Sequence, residues 1–165
     1  MLRSKRLVKA VAAIILIIAA THFVVAPRQY CLTVRDHETG KRYASYPMGE
    51  GEQFSIGFKH SINLSPVIDV YRIEGGEIYI EETIYYHFGA GVQTQLNEGE
   101  TLSYGEDGSM IVGNIHQLRS GVVYIVGTLY DHMLTLNDGE QVNLAQLCGK
   151  NTKVSFHYER VISFK

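Results

Sequence analysis

Residues 54–71 read FSIGFKHSINLSPVIDVY. Taken in steps of two, the run gives Phe54, Ile56, Phe58, His60 and Ile62. Side chains along a strand alternate between faces, so this spacing predicts a strand with one apolar face and puts His60 on it. INLSP breaks the pattern, and VIDVYRI (67–73) resumes it as an antiparallel return. Pairing His60 with Val67 sets Phe58 opposite Asp69, and all four share the buried face. Asp69 then lies diagonal to His60, within reach of a charge-assisted hydrogen bond. Three roles for His60 stand open: a catalytic base, a metal ligand, or a polar pin satisfied by Asp69. The pin fits the apolar neighbours best. A His60–Ser61 dyad is disfavoured because consecutive strand residues point to opposite faces. The chain also contains no GxSxG elbow.

The same texture runs through the rest of the chain. Turn signals recur at HETG (37–40), GEG (49–51), EGG (74–76), NEGE (97–100), GEDGS (105–109), RSG (119–121), NDG (137–139) and CGKN (148–151). Between them lie short alternating or β-branched runs, among them CLTVRD (31–36), RYASYPM (42–48), VVYIVGTL (122–129) and KVSFHYE (153–159). EIYIEETIYYHF (77–88) keeps Ile78 and Ile80 on one face and then shifts phase. This spacing predicts an all-β domain, an antiparallel β-sandwich or partly closed barrel. NLAQLCG (143–149) reads as one helical turn stopped by Gly149. Composition agrees: 16 glycines, 11 tyrosines, 3 prolines and no tryptophan in 165 residues suit a turn-rich β protein.

The N-terminus is different. MLRSKRLVKAVAAIILIIAATHFVVAPRQ opens with a basic cluster, and residues 7–26 are apolar apart from Lys9, Thr21 and His22. Twenty helical residues rise about 30 Å, the thickness of a bilayer's hydrocarbon core. The expectation is a single-pass signal anchor with tether over residues 1–29, followed by an extracytoplasmic domain over residues 30–165, oriented by the positive-inside rule. A cleaved signal peptide is the alternative, because Val24-Val25-Ala26 loosely suits a peptidase, although Pro27 would follow the cut. Four of the 15 basic residues fall within the first nine positions, so the remainder carries 11 against 17 acidic residues. A mildly acidic domain is a poor partner for nucleic acid. Outside the cytoplasm Cys31 and Cys148 have the option of a disulfide, closing a loop of about 118 residues.

Other candidate chemistry is sparse. His37, His60, His87, His116, His132 and His157 show no pair at i, i+2 or i, i+4 spacing, so no metal site is expected from local pattern. In YYHFGAGV (85–92), Gly89 and Gly91 allow an anion nest or, more simply, a turn that closes a sheet corner. Glu81 and Glu82 are adjacent, so at most one points inward and they do not cooperate as a glycosidase pair. Asp131 beside His132 reads as a turn former.

HSINLSPVIDVY, EETIYYHFGAGV and YIVGTLYDHMLTL together resemble a bacterial family catalogued as a domain of unknown function, from about residue 30 to 158. The family pattern falls on His60, Ser61, Pro66, Val67 and Asp69, then Gly89, Ala90 and Gly91. The resemblance implies one N-terminal hydrophobic segment and a gene placed beside TRAP-type transporters of the TAXI subclass. It implies no reaction. The expected function is a membrane-anchored extracytoplasmic accessory or binding module on the bacterial cell membrane. It would be associated with such a transporter for small organic anions, through the permease or its substrate-binding protein. The alternative is a small extracytoplasmic enzyme or metal-binding protein using His60 and Asp69. Candidate ligand- or partner-contacting residues are His60, Ser61, Asp69, Gly89 and Gly91, with no cofactor and no catalytic residue assigned.

Overall fold

β3 (Gln53–Lys59) and β4 (Pro66–Glu74) pair antiparallel, as the alternation predicts, but with Phe58 opposite Val67 and Ile56 opposite Asp69. The register differs from the expected one by two residues. An even slip preserves parity, so Phe54, Ile56, Val67, Asp69 and Tyr71 still share a face. It removes His60 from the strand. The connection closes through the His60 N–H to the Ser65 carbonyl at 2.8 Å and the Leu64 N–H to the His60 carbonyl at 3.0 Å. Pairing begins at Pro66, whose missing N–H and fixed φ suit a first strand position.

In the computed structural model, Lys9 and residues 11–16, 28–60, 64–86, 93 and 95–162 are described. The chain divides into two compact units, residues 30–159 and a smaller set of 1–29 with 160–165. In the smaller unit residues 11–16 are helical and exposed. Among the described residues no helix is long and apolar enough to cross a membrane. Most of the expected anchor, residues 7–26, lies outside them.

The remaining strands are β1 (Arg28–Asp36), β2 (Arg42–Pro47), β5 (Glu77–Tyr85), β6 (Thr101–Tyr104), β7 (Met110–Gly113), β8 (Gln117–Leu118), β9 (Val122–Ile125), β10 (His132–Thr135), β11 (Gln141–Asn143) and β12 (Lys153–Ile162). A smaller sheet runs β2-β1-β12-β9 and a larger one β11-β10-β3-β4-β5-β7-β6, with β8 also on β5. The sheets are mostly antiparallel, and no closed barrel forms among the described residues. Both sheets contribute to one apolar core. Leu32, Val34, Val154 and Phe156 come from the smaller sheet, and Phe54, Ile56, Ile73 and Leu134 from the larger. Phe54 stacks on both Tyr71 and Phe156, with ring centroids 5.0 and 6.2 Å apart.

The short helix Leu144–Cys148 is capped by the Asn143 side chain and ends at Gly149, whose φ of 92° explains the glycine. Its presence directs Cys148 Sγ back to the Leu144 carbonyl at 2.9 Å. Cys31 and Cys148 are both thiols, and burial pushes both above the ordinary thiol range. The phase shift after Ile80 is a β-bulge. Tyr71 faces Ile80 and Val70 faces Glu82, leaving Glu81 as the extra residue.

In the smaller sheet, Glu159 accepts hydrogen bonds from the Thr33 hydroxyl at 2.6 Å and from Arg35 Nε and Nη2 at 2.9 and 2.6 Å. Burial pushes this carboxyl up, but the Thr33 hydroxyl and Arg35 guanidinium outweigh it and hold it below the usual range. Its folded value lies below its unfolded one. The stabilisation is therefore present above the unfolded value and lost as pH falls through the folded one. Stability is expected to decline as pH drops below about 4.5. Glu159→Gln should remove part of that slope and lower stability at neutral pH, as read by urea denaturation across a pH series.

Candidate functional site

The inward position of Asp69 is as expected, and its partners are not. Asp69 Oδ1 accepts from the Thr83 hydroxyl at 2.8 Å, and Oδ2 accepts from the Tyr124 hydroxyl at 2.5 Å. The Tyr124 and Tyr71 hydroxyls are 2.7 Å apart and hydrogen-bonded. Tyr124 belongs to β9 in the smaller sheet, whereas Asp69, Tyr71 and Thr83 belong to the larger. The pin therefore ties one sheet to the other, and the expected His60–Asp69 pair is corrected. Burial, then the charge of Asp69, pushes both tyrosine hydroxyls well above their ordinary range. They stay protonated and donate at any ordinary pH.

His60 sits beyond the end of β3, half-buried, on the rim of a cleft of about 360 Å³. Phe58, Lys59, Gly127, Tyr130 and His132 form much of the rest of its lining. The cleft lies where the chain leaves β9 of the smaller sheet and enters β10 of the larger. His132 pairs directly across from Phe58, and their rings stack at 5.2 Å. Tyr124 meets both rings edge-on, at 6.0 Å from Phe58 and 6.1 Å from His132. The cleft wall thus rests on the same tyrosine that holds Asp69. Lys59 Nζ stands 4.8 Å over the Tyr130 ring, a cation–π contact at the mouth.

His132 Nδ1 accepts from the Gly127 N–H at 3.2 Å. Burial lowers the imidazole below its ordinary range, so the ring is held neutral. Gly127 is required by space. A Cβ there would stand 2.4 Å from the Tyr130 carbonyl oxygen and 3.3 Å from His132 Cε1. Gly127→Ala is therefore expected to force open the 127–131 loop, with a melting-temperature loss equivalent to about 2 kcal/mol. The amide and ring signals of His132 should move in an NMR spectrum of the variant.

Of the residues singled out in the sequence, His60 lines the cleft and Asp69 lies behind it in the pin. Ser61, Gly89 and Gly91 fall outside the described residues. Reading the sequence missed Phe58, Lys59, Gly127, Tyr130 and His132 as a group. One signal was available: Gly127 interrupts VVYIVGTL, and glycine within a β-run often marks a bend or close approach. Asp131 does act locally, accepting from Asn143 Nδ2 at 2.9 Å.

The fold and site define an antiparallel β protein of two sheets with an aromatic, lysine-rimmed cleft at their crossing. No curated protein and no solved structure matches the chain. The chain belongs to the family described as Domain of unknown function (DUF1850), which matches residues 54–144. That range takes in every strand of the larger sheet, β9, the cleft residues and the Asp69 pin. It leaves β1, β2 and β12 of the smaller sheet outside.

Proposed function

We propose that this chain is a membrane-tethered β-sandwich that binds a small organic anion in the cleft and serves as an extracytoplasmic accessory to a TRAP-type transporter. The observation that carries the reading is the cleft itself. Its volume lies at the small-molecule end of the usual range for ligand sites. Flat apolar walls from Phe58, Tyr130 and His132 suit a carbon skeleton, and the Lys59 ammonium suits a carboxylate. A neutral His132 contributes a hydrogen-bonding ring without a second charge to desolvate. The apolar segment at residues 7–26 and the family resemblance favour the setting at a membrane beside a transporter.

The test has two arms. Titration of the full-length protein with succinate should shift the amide resonances of Gly127 and His132, and Lys59→Ala should weaken that binding. Purification from membranes should bring the neighbouring transporter with it. A protein that migrates alone, leaves uptake unchanged when deleted and shows no succinate-dependent shift would sink the proposal.

A further inference from the structure

Away from the cleft, three ligating side chains meet on the outer face of the larger sheet. Glu74 ends β4, Glu81 is the bulged residue of β5, and His116 lies between β7 and β8. Each offers a ligand atom within 4.8 Å of the others. Bulges re-aim a side chain relative to the regular pleat, and here the extra residue is one of the three. The partner strand makes its own detour. Thr83 faces Val112 and Ile80 faces Gln117, so residues 113–116 form a short loop across the bulge, held to it by the Ile115 N–H on the Glu81 carbonyl at 3.1 Å. His116 ends that loop with φ at 40°, a backbone region uncommon for a non-glycine residue. Its ring is fixed in place by stacking on Tyr79 at 4.8 Å.

The ring's two nitrogens meet different carboxylates. Nδ1 is 3.0 Å from Glu81 Oε1, and Nε2 is 4.0 Å from Glu74 Oε2. Glu81 Oε1 has Arg72 Nε at 3.9 Å as its other charged neighbour. In the neutral ring, a proton on Nδ1 is donated to Glu81 and leaves the Nε2 lone pair turned toward the Glu74 carboxylate. Two acceptors then face one another across 4.0 Å, a repulsion relieved by a second ring proton or by a cation between them. Carboxylate–imidazole–metal is the arrangement by which an outer carboxylate fixes the tautomer and orientation of a ligating histidine. Metal–nitrogen and metal–oxygen bonds of about 2.0–2.2 Å fit that gap after a small rotation of two exposed side chains. One imidazole with one carboxylate suits a transition ion such as Zn²⁺ better than the all-oxygen preference of Ca²⁺ or Mg²⁺.

The geometry points to a divalent transition-metal site in which His116 Nε2 and the Glu74 carboxylate ligate the ion, Glu81 positions the ring through Nδ1, and water completes the coordination. It is independent of the cleft. The full-length protein, purified without a histidine tag, is titrated with Zn²⁺ by calorimetry at about pH 7.5. The expected result is one saturable tightest site per chain, a raised melting temperature with Zn²⁺, and no competition from Mg²⁺. His116→Gly, which relieves the left-handed backbone and so keeps the fold, should remove that site and the thermal shift. Glu74→Gln should do the same. Glu81→Gln, acting only through ring orientation, should weaken binding by about 10- to 100-fold while keeping the stoichiometry. Absence of saturable binding, or Zn²⁺ binding unchanged in His116→Gly, overturns the assignment.

Discussion

Asp69→Ala is expected to destabilise the domain by about 3 kcal/mol, because it removes a charged acceptor from two hydroxyl donors. Thr83 and Tyr124 lose their shared acceptor at once, and Tyr71 loses the ordering it receives through Tyr124. The bond to Tyr124 crosses between the sheets, so its loss weakens their attachment as well as the strand that carries Asp69. Asp69→Asn keeps one acceptor oxygen and should cost clearly less. Tyr124→Phe should cost about 1.5 kcal/mol. The double-mutant cycle with Asp69→Ala should show coupling of about 1 kcal/mol or more. By contrast, His60→Ala, at the cleft rim, should cost less than about 1 kcal/mol. Urea denaturation of the variants decides the matter. A small loss for Asp69→Ala, additive with Tyr124→Phe, would refute the inter-sheet pin, and a large loss for His60→Ala would restore the histidine as its centre.

Phe156→Ala should have a still larger effect, about 4 kcal/mol, for a different reason. Phe156 is fully buried and is the smaller sheet's counterpart to Phe54. Its ring also meets Tyr124 edge-on at 6.3 Å. Truncation opens a cavity at the point where both sheets and the tyrosine of the pin converge. The surrounding strands are held by their own ladders and relax only in part, so the cavity term adds to the lost transfer energy. A loss of this size is a large fraction of the roughly 5–15 kcal/mol that stabilises an ordinary domain. The melting temperature should fall by roughly 10–15 °C. Phe156→Leu, which preserves most of the volume, should cost less than about 1.5 kcal/mol. If both variants melt together with the unmodified protein, Phe156 is not at the centre of the core.

The two effects also differ in what they do to the cleft. Tyr124 supports the edges of Phe58 and His132. Loosening it through Asp69 should widen the lining before it unfolds the domain. Weakened succinate binding in Tyr124→Phe at a temperature where the protein remains folded would connect pin and cleft energetically.

Much of this architecture is local and therefore readable in one dimension. Period-2 alternation marks β3, β4 and the first half of β5. The turn signals separate nearly every strand, and the phase change after Ile80 announces the bulge at Glu81. Two strands were not legible. β6, TLSY, alternates only Leu102 and Tyr104 over four exposed residues, too short a run to stand out, and β8 is only two residues long. The run KVSFHYE (153–159) stops at the charged pair Glu159 and Arg160, yet β12 continues through both to Ile162. Hydrogen bonding along a neighbouring strand tolerates charged residues that hydrophobic patterning treats as a break.

The sequence by itself determined that Asp69 shares the inner face with Phe54, Ile56 and Tyr71, since that follows from parity, and a two-residue slip leaves parity intact. Only the tertiary structure decided what Asp69 bonds to, because Tyr124 lies 55 residues away on another sheet and no local period relates the two. It likewise decided that Lys59, Tyr130 and His132 border one cleft, and that Glu74, Glu81 and His116 meet outside the sheet. Alternation reports which way a side chain points from its own backbone; its neighbours across space are set by how the chain crosses between sheets.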